Sequence, residues 1–266
     1  MEHVSSRQNA VVKRFRDLAR EGRLGDDVLI DGAHLVTEAL EAGVELDLVA
    51  FTADVAGQRL AALAARCGVA QARVVTVPAT LLAVMSPVRQ PSGVIAIGRL
   101  RPATLSDALE TPRQLVVLLD RVQDPGNVGA IVRAAEACGG TGIITGPGTA
   151  DPFGWKSLRG SMGSAFRLPI ASVESLAVAI DAARAAGIRI FATAPRGGTP
   201  LRQAALDGAA AILIGGEGSG LSSEMIGGAD ESLSIEMRPP VESLNLSVAA
   251  ALILYEASRQ RADVAV

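Results

Sequence analysis

One stretch constrains the fold more than any other: LVVLLDRVQDPGNVGAIVRAAEACGGTGIIT, residues 115–145. Leu115–Leu119 is an unbroken apolar run, the signature of a strand buried on both faces. Asp124–Gly126 reads as a turn, Asn127–Cys138 as a helix and Ile143–Thr145 as a second strand. Strand, turn, helix and strand in that order form a βαβ unit, which commits this part of the chain to a layered α/β fold with a parallel sheet. The rhythm continues with strands at Ile188–Thr193, Ala211–Ile214 and Ser232–Ile235 and helices at Ser175–Ala186 and Ser247–Arg259.

The first part of the chain repeats the alternation with different pieces. Strands are expected at Val28–Ile30, Leu46–Phe51, Val74–Val77 and Val94–Ile97, and helices at Val12–Ala19, His34–Glu41, Leu60–Cys67 and Thr80–Met85. Residues 99–113 carry two prolines and interrupt this order, so they read as a linker. The expected division is a small α/β domain over 1–98, a linker over 99–113 and a second domain over 114–266.

Composition narrows the function classes. The chain is 49% hydrophobic but only 3% aromatic, so its cores are built of small aliphatic side chains and global disorder is excluded. A net charge of −3 argues against a generic basic nucleic-acid coat. The first 23 residues nonetheless hold six basic against three acidic residues, on a stretch with helical periodicity. Cys67 and Cys138 are the only cysteines and His3 and His34 the only histidines, so neither a disulfide framework nor a metal site is expected. No signal peptide and no apolar run of membrane-spanning length is present, which points to a cytoplasmic protein without a membrane partner.

Three segments carry residue types suited to chemistry. In the first, Gly126 and Gly129 open the turn, and Arg133 stands alone among Ile131, Val132, Ala134 and Ala135. Such an arginine either snorkels to solvent or serves a ligand. The GxGxxG dinucleotide spacing is absent. The second, AAILIGGEGSGLSSEM (210–225), runs a strand into a glycine-rich loop with one carboxylate, Glu217, and no phosphate-binding lysine. Glu217 suits a ligand hydroxyl or amine, or the capping of a helix near Leu221–Ile226. The third lies within residues 234–261, where Ser243, Asn245 and Ser247 alternate with Leu244 and Leu246. Ser247 reads as the cap of the following helix, whose expected buried face holds Val248, Ala251, Leu252 and Tyr255.

In this order the segments resemble the SpoU family of RNA ribose 2′-O-methyltransferases. The resemblance rests on Asn127-x-Gly129 with Arg133, on Gly215-Gly216-Glu217-Gly218 with Gly220-Leu221-Ser222, and on Ile235-x-Met237 with Ser243-Leu244-Asn245-Leu246-Ser247-Val248. Residues 1–98 resemble the family's ribosomal-protein-like substrate-binding domain through Lys13, Asp31-Gly32, Leu35-Val36, Glu38-Ala39-Leu40 and Pro91-x-Gly93; Asp31 stands where the family more often has glutamate.

The resemblance implies a parallel-sheet C-terminal domain tied in a trefoil knot, a topology that general rules disfavour. It further implies S-adenosylmethionine as cofactor, a homodimer, and RNA, chiefly ribosomal RNA, as substrate, with no DNA partner. Carried over by motif, Thr193, Gly215, Gly216, Ile235, Leu244 and Leu246 would line the cofactor site. Arg133, Asn127, Glu217, Ser243 and Asn245 would form the catalytic set, and Lys13, Arg14 and Arg159 would contact RNA. The base proposed in the family is the arginine at the position of Arg133. A guanidinium is always protonated, so a phosphate contact or stabilisation of developing alkoxide charge suits it better. If Asn127 is helical, six residues turn the helix by roughly 240° and aim Arg133 elsewhere, toward a partner copy. The competing readings are an RNA-binding ribosome-assembly factor without turnover, a transfer-RNA methyltransferase, and a Rossmann-type nucleotide enzyme. Retention of all five polar residues disfavours the first, the two-domain layout the second, and the missing GxGxxG the third.

Overall fold

The computed structural model describes residues 2–52, 58–110, 113–218 and 220–263. In chain order the elements are β1 (Glu2–His3), α1 (Ala10–Glu21), β2 (Arg23–Leu24), β3 (Asp27–Asp31), α2 (Ala33–Glu41), β4 (Glu45–Thr52), α3 (Gln58–Val69), β5 (Arg73–Val77), α4 (Ala79–Met85) and β6 (Val94–Arg99). There follow α5 (Leu105–Leu109), β7 (Leu115–Asp120), α6 (Pro125–Ala137), β8 (Gly142–Thr145), α7 (Trp155–Ser161), β9 (Ile170–Ser172), α8 (Leu176–Ala185) and β10 (Arg189–Thr193). The chain closes with β11 (Thr199–Pro200), β12 (Ala210–Gly215), α9 (Ser223–Gly227), β13 (Glu231–Ser234) and α10 (Leu246–Asp263). Two compact units result: Met1–Arg101 with Phe153–Arg167, and Pro102–Pro152 with Leu168–Val266.

The first unit has a mixed sheet in the order β1-β5-β4-β6-β3-β2, with β4 parallel to β5 and β6 antiparallel to both β4 and β3. Helix α1 starts because the Asn9 side chain accepts from the Val11 amide at 2.9 Å, and it stops at Gly22, whose φ of 83° suits a residue without Cβ. It buries Val11, Val12, Phe15 and Leu18 and leaves Lys13, Arg16 and Arg20 exposed. Truncating the fully buried Phe15 to alanine would cost about 3–5 kcal/mol. Although it comes from the second half of the sequence, α7 packs in this unit, with Trp155 against the same core. Arg167 donates to Glu38 at 2.6 Å, and Gly163, with φ of 99°, lies where a Cβ would fall 2.7 Å from Glu38 Oε2.

In the second unit seven strands lie parallel in the order β11-β13-β10-β12-β7-β8-β9. Strands β7 and β12 sit side by side near the centre and bury every residue, which explains their uninterrupted apolar sequences. The short strands β9 and β11, of three and two residues, are too brief for a periodic signal in the sequence. Helix α6 begins with Pro125 at its first turn and Asp124 as its cap. The stretch read as a linker divides: Arg101 pairs with Asp26 at 2.9 Å in the first unit, while α5 buries Ala108 and Leu109 in the second. Thr111 and Pro112 lie outside the described residues.

The face assigned to α10 is corrected. The helix packs along α6, but Ala250, Ile253, Leu254 and Ala257 are the buried residues, while Val248, Leu252 and Tyr255 are 47%, 42% and 66% exposed. Both sides of the helix are apolar, so periodicity alone cannot say which one faces inward.

Candidate active site

Parallel α/β sheets bind ligands beyond the carboxyl ends of their strands. The second unit has a cavity of about 890 Å³ at those ends of β10, β12 and β13. Thr193, Gly215, Gly216, Ile235, Leu244 and Leu246, the expected cofactor residues, all line it. Thr193 Oγ1 is already committed, donating to the Leu213 carbonyl at 3.1 Å.

The glycines of the cavity wall are required by close backbone approach. A Cβ on Gly215 would fall 2.4 Å from the Leu221 amide nitrogen, and one on Gly216 2.0 Å from the Arg121 carbonyl oxygen. Gly216 and Gly220 form an antiparallel bridge, and Gly218 and Gly220 have φ of +91° and +60°. The chain therefore folds back on itself and presents main chain, free of side-chain bulk, to the cavity. Ser219 lies outside the described residues.

At this wall runs a chain of side-chain hydrogen bonds. Asn127 Nδ2 donates to Glu217 Oε1 at 2.5 Å, and Asn245 Nδ2 donates to Asn127 Oδ1 at 3.2 Å. Asn245 Oδ1 accepts from Ser247 N, Ser247 Oγ and Val248 N at 3.0, 2.7 and 3.3 Å. Three segments far apart in sequence thus meet at one point. The cap of α10 is consequently Asn245, not Ser247, because the amide oxygen reaches the orphan N–H groups of the first turn. Glu217 does not cap α9; Ser222 does, accepting from Met225 N at 3.2 Å. Ser243 is exposed and lines the same cavity.

Arg133 is not brought to this cluster. Asn127 is helical, and six residues later Arg133 is exposed, outside the cavity lining, and without a hydrogen bond or ion pair among the described residues. The expected RNA contacts also separate. Lys13 is exposed and unpaired among the described residues, as are Arg7, Arg16 and Arg89. Arg14, by contrast, donates to Asp27 at 2.7 Å and to Asp47, so its guanidinium is held by two carboxylates of its own unit. Arg159 is exposed on α7, where its charge acts on the buried Asp31. Burial pushes the Asp31 carboxyl above its ordinary range, against the opposing effects of the Ser86 hydroxyl at 2.6 Å and Arg159.

Sequence reasoning missed two charged residues of the cavity. Arg196, after β10, donates to Glu242, after β13, at 3.3 Å. The position of Arg196 just past the carboxyl end of β10 was the available signal for it; Glu242, well beyond the end of β13, had none.

The family model of the SpoU rRNA methylase matches residues 114–255, and that of the MRM3-like substrate binding domain matches residues 9–96. The chain is 30% identical over 258 residues to the Bacillus subtilis 23S rRNA (guanosine(2553)-2′-O)-methyltransferase RlmP, covering 96% of this chain and 98% of that protein. A Burkholderia 23S rRNA (guanosine-2′-O-)-methyltransferase, RlmB, is 32% identical over 240 residues, covering 88% and 96%. The AdoMet-bound rRNA methyltransferase of Sinorhizobium meliloti superposes with a TM-score of 0.85 at 30% identity, covering 97% of each chain. AviRb of Streptomyces viridochromogenes, in complex with AdoMet, gives 0.83 at 29% identity, covering 96% of this chain and all of its own. Family model, full-length relatives and an Asn–Asn–Glu chain on a glycine wall agree: the chain belongs to the SpoU rRNA methylase family.

Proposed function

We propose that this protein transfers a methyl group from S-adenosylmethionine to a ribose 2′-hydroxyl of ribosomal RNA. The carrying observation is the Asn245–Asn127–Glu217 chain beside a glycine-walled cavity. RNA is the matching polymer because only it offers the 2′-hydroxyl.

The cofactor supplies a sulfonium-activated methyl group. Ile235, Leu244 and Leu246 would offer it apolar surface, and Gly215 and Gly216 would let main chain approach it without side-chain obstruction. The chemistry it would supply is a methyl carbon open to displacement from sulfur by the ribose oxygen, the hydroxyl proton leaving to water or phosphate. The protein's part is orientation. Asn127 is held at both ends of its amide, so its remaining N–H and lone pair have a set direction for a ribose. Ser243 and Asn245 add neutral polar groups that do not compete as nucleophiles.

Arg133 acts as a cation, not a base, and serves the site of a second copy. A homodimer is supported by the exposed stripe Val248, Leu252 and Tyr255, spaced i, i+4, i+7 on α10, which packs along the helix bearing Arg133. The trefoil knot is assigned on family membership and on cavity walls drawn from the loops after β10, β12 and β13. Lys13 and Arg159, with Arg7, Arg16 and Arg89, supply phosphate contacts in the first unit. No helix among the described residues is long and apolar enough to cross a membrane, and a ribosomal RNA substrate is in keeping with a cytoplasmic activity.

The test is methyl transfer from labelled S-adenosylmethionine to protein-free ribosomal RNA and, in parallel, transfer RNA, with Arg133→Ala as control. Label recovered as a ribose-methylated nucleotide from ribosomal RNA supports the reading. Label confined to transfer RNA, or cofactor binding without any transfer to RNA or ribosomal particles, overturns it.

A further inference from the structure

Three charged residues line the cavity among those described: Arg196, Glu217 and Glu242. Glu217 is already bonded to Asn127 at 2.5 Å. Arg196 and Glu242 are left facing each other at 3.3 Å, with side chains 76% and 81% exposed. An exposed pair of this kind contributes little to stability. Both members are therefore free to exchange partners at small cost.

S-adenosylmethionine ends in an amino acid, with one carboxylate and one ammonium. A site for such a zwitterion needs one cation and one anion a few ångströms apart, and this pair is the one arrangement of that kind among the described lining residues. The rest of the described lining is apolar, glycine, or neutral and polar. We infer that Arg196 and Glu242 form the subsite for the methionyl tail, Arg196 taking the carboxylate and Glu242 the ammonium. The two residues stand on separate loops, after β10 and after β13, so a tail seated between them ties the two loops across the cavity mouth. Without ligand the same charges satisfy each other. The inference rests on the reading of this cavity as the cofactor site.

Calorimetric titration of the full chain tests it, using three ligands: S-adenosylhomocysteine, decarboxylated S-adenosylmethionine and 5′-methylthioadenosine, which lacks the whole tail. Binding of all three to the wild type checks the cofactor reading by itself. Arg196→Gln is expected to weaken S-adenosylhomocysteine about five- to tenfold and to leave the other two unchanged. Glu242→Gln is expected to weaken both ligands that carry the ammonium and to spare 5′-methylthioadenosine. Unchanged S-adenosylhomocysteine affinity in both variants overturns the subsite. So does an equal loss for all three ligands, which would make the pair a loop brace without a ligand role.

Discussion

Asn245 caps helix α10 with its side-chain oxygen and donates to Asn127 with its side-chain nitrogen, at 3.2 Å. One amide thus ends a helix and aims a second amide. The two jobs use different atoms, so substitution can separate them. Asn245→Asp keeps the capping oxygen and favours the helix dipole, so melting temperature should hold within a few degrees. It removes the donor to Asn127, and single-turnover methyl transfer should fall about 100-fold. Asn245→Ala should lose both, with about 1 kcal/mol of stability gone. Equal activity in the aspartate variant and the wild type would disprove the aiming role.

Asn127→Asp places a second carboxylate where Nδ2 now meets Glu217 at 2.5 Å. Repulsion should turn the side chain away and cut the transfer rate by about 100-fold or more, with S-adenosylhomocysteine affinity nearly unchanged. Parallel rapid-quench and binding measurements check this; a matching loss of affinity would move Asn127 from substrate to cofactor.

Two glycines of the same loop should behave differently when given a methyl group. Gly216→Ala drives Cβ into the Arg121 carbonyl and should abolish cofactor binding. Gly218→Ala meets no atom and is opposed only by its φ of +91°, a penalty of about 1–2 kcal/mol. Melting curves with and without S-adenosylhomocysteine distinguish the two; similar ligand-induced shifts would contradict the proposed close approach.

The buried Asp31 should make stability pH-dependent. Its carboxyl titrates above the ordinary range because burial disfavours the charge. The folded chain therefore holds that proton more tightly than the unfolded chain. The resulting stability is present below the ordinary carboxylate value and is lost as pH rises through the raised one. Asp31→Asn, which can still accept from Ser86, should flatten that part of the curve. Denaturant melts across mildly acidic pH compare the slopes; identical slopes would mean that other groups carry the dependence.

Leu252→Glu places a charge in the exposed α10 stripe, where Leu252 is 42% exposed. Light scattering should report a dimer for the wild type and a monomer for the variant, with little change in helix content. A wild-type monomer would overturn the dimer and, with it, the placement of Arg133 in a partner's site.

These particulars show which parts of the molecule local sequence makes legible. Strands such as β7 and β12 announce themselves because full burial forces every residue to be apolar. The cavity residues were found because glycine is the one residue that tolerates a carbonyl 2.0 Å from a Cβ position, and such glycines stand out in sequence. The ion pairs of Arg14 are not legible locally because its partners, Asp27 and Asp47, belong to other elements. The exposure of Val248, Leu252 and Tyr255 is not legible in sequence because a helix apolar on both sides has no local rule for choosing its inner face. Arg196 and Glu242 escaped notice because their meaning lies in facing one another across 46 positions of chain.

At its other end, α10 is pinned. Arg261 donates to the carbonyls of Arg113, Gln114, Leu206 and Gly208, and Gln260 bonds both Ala204 and Leu206. Sixteen residues of helix, about 24 Å, separate this anchorage from Asn245. A stiff rod fixed at one end transmits any tilt to the other. The loop at residues 204–208, which is not among the described residues lining the cavity, therefore fixes the far end of the same helix whose first turn Asn245 caps.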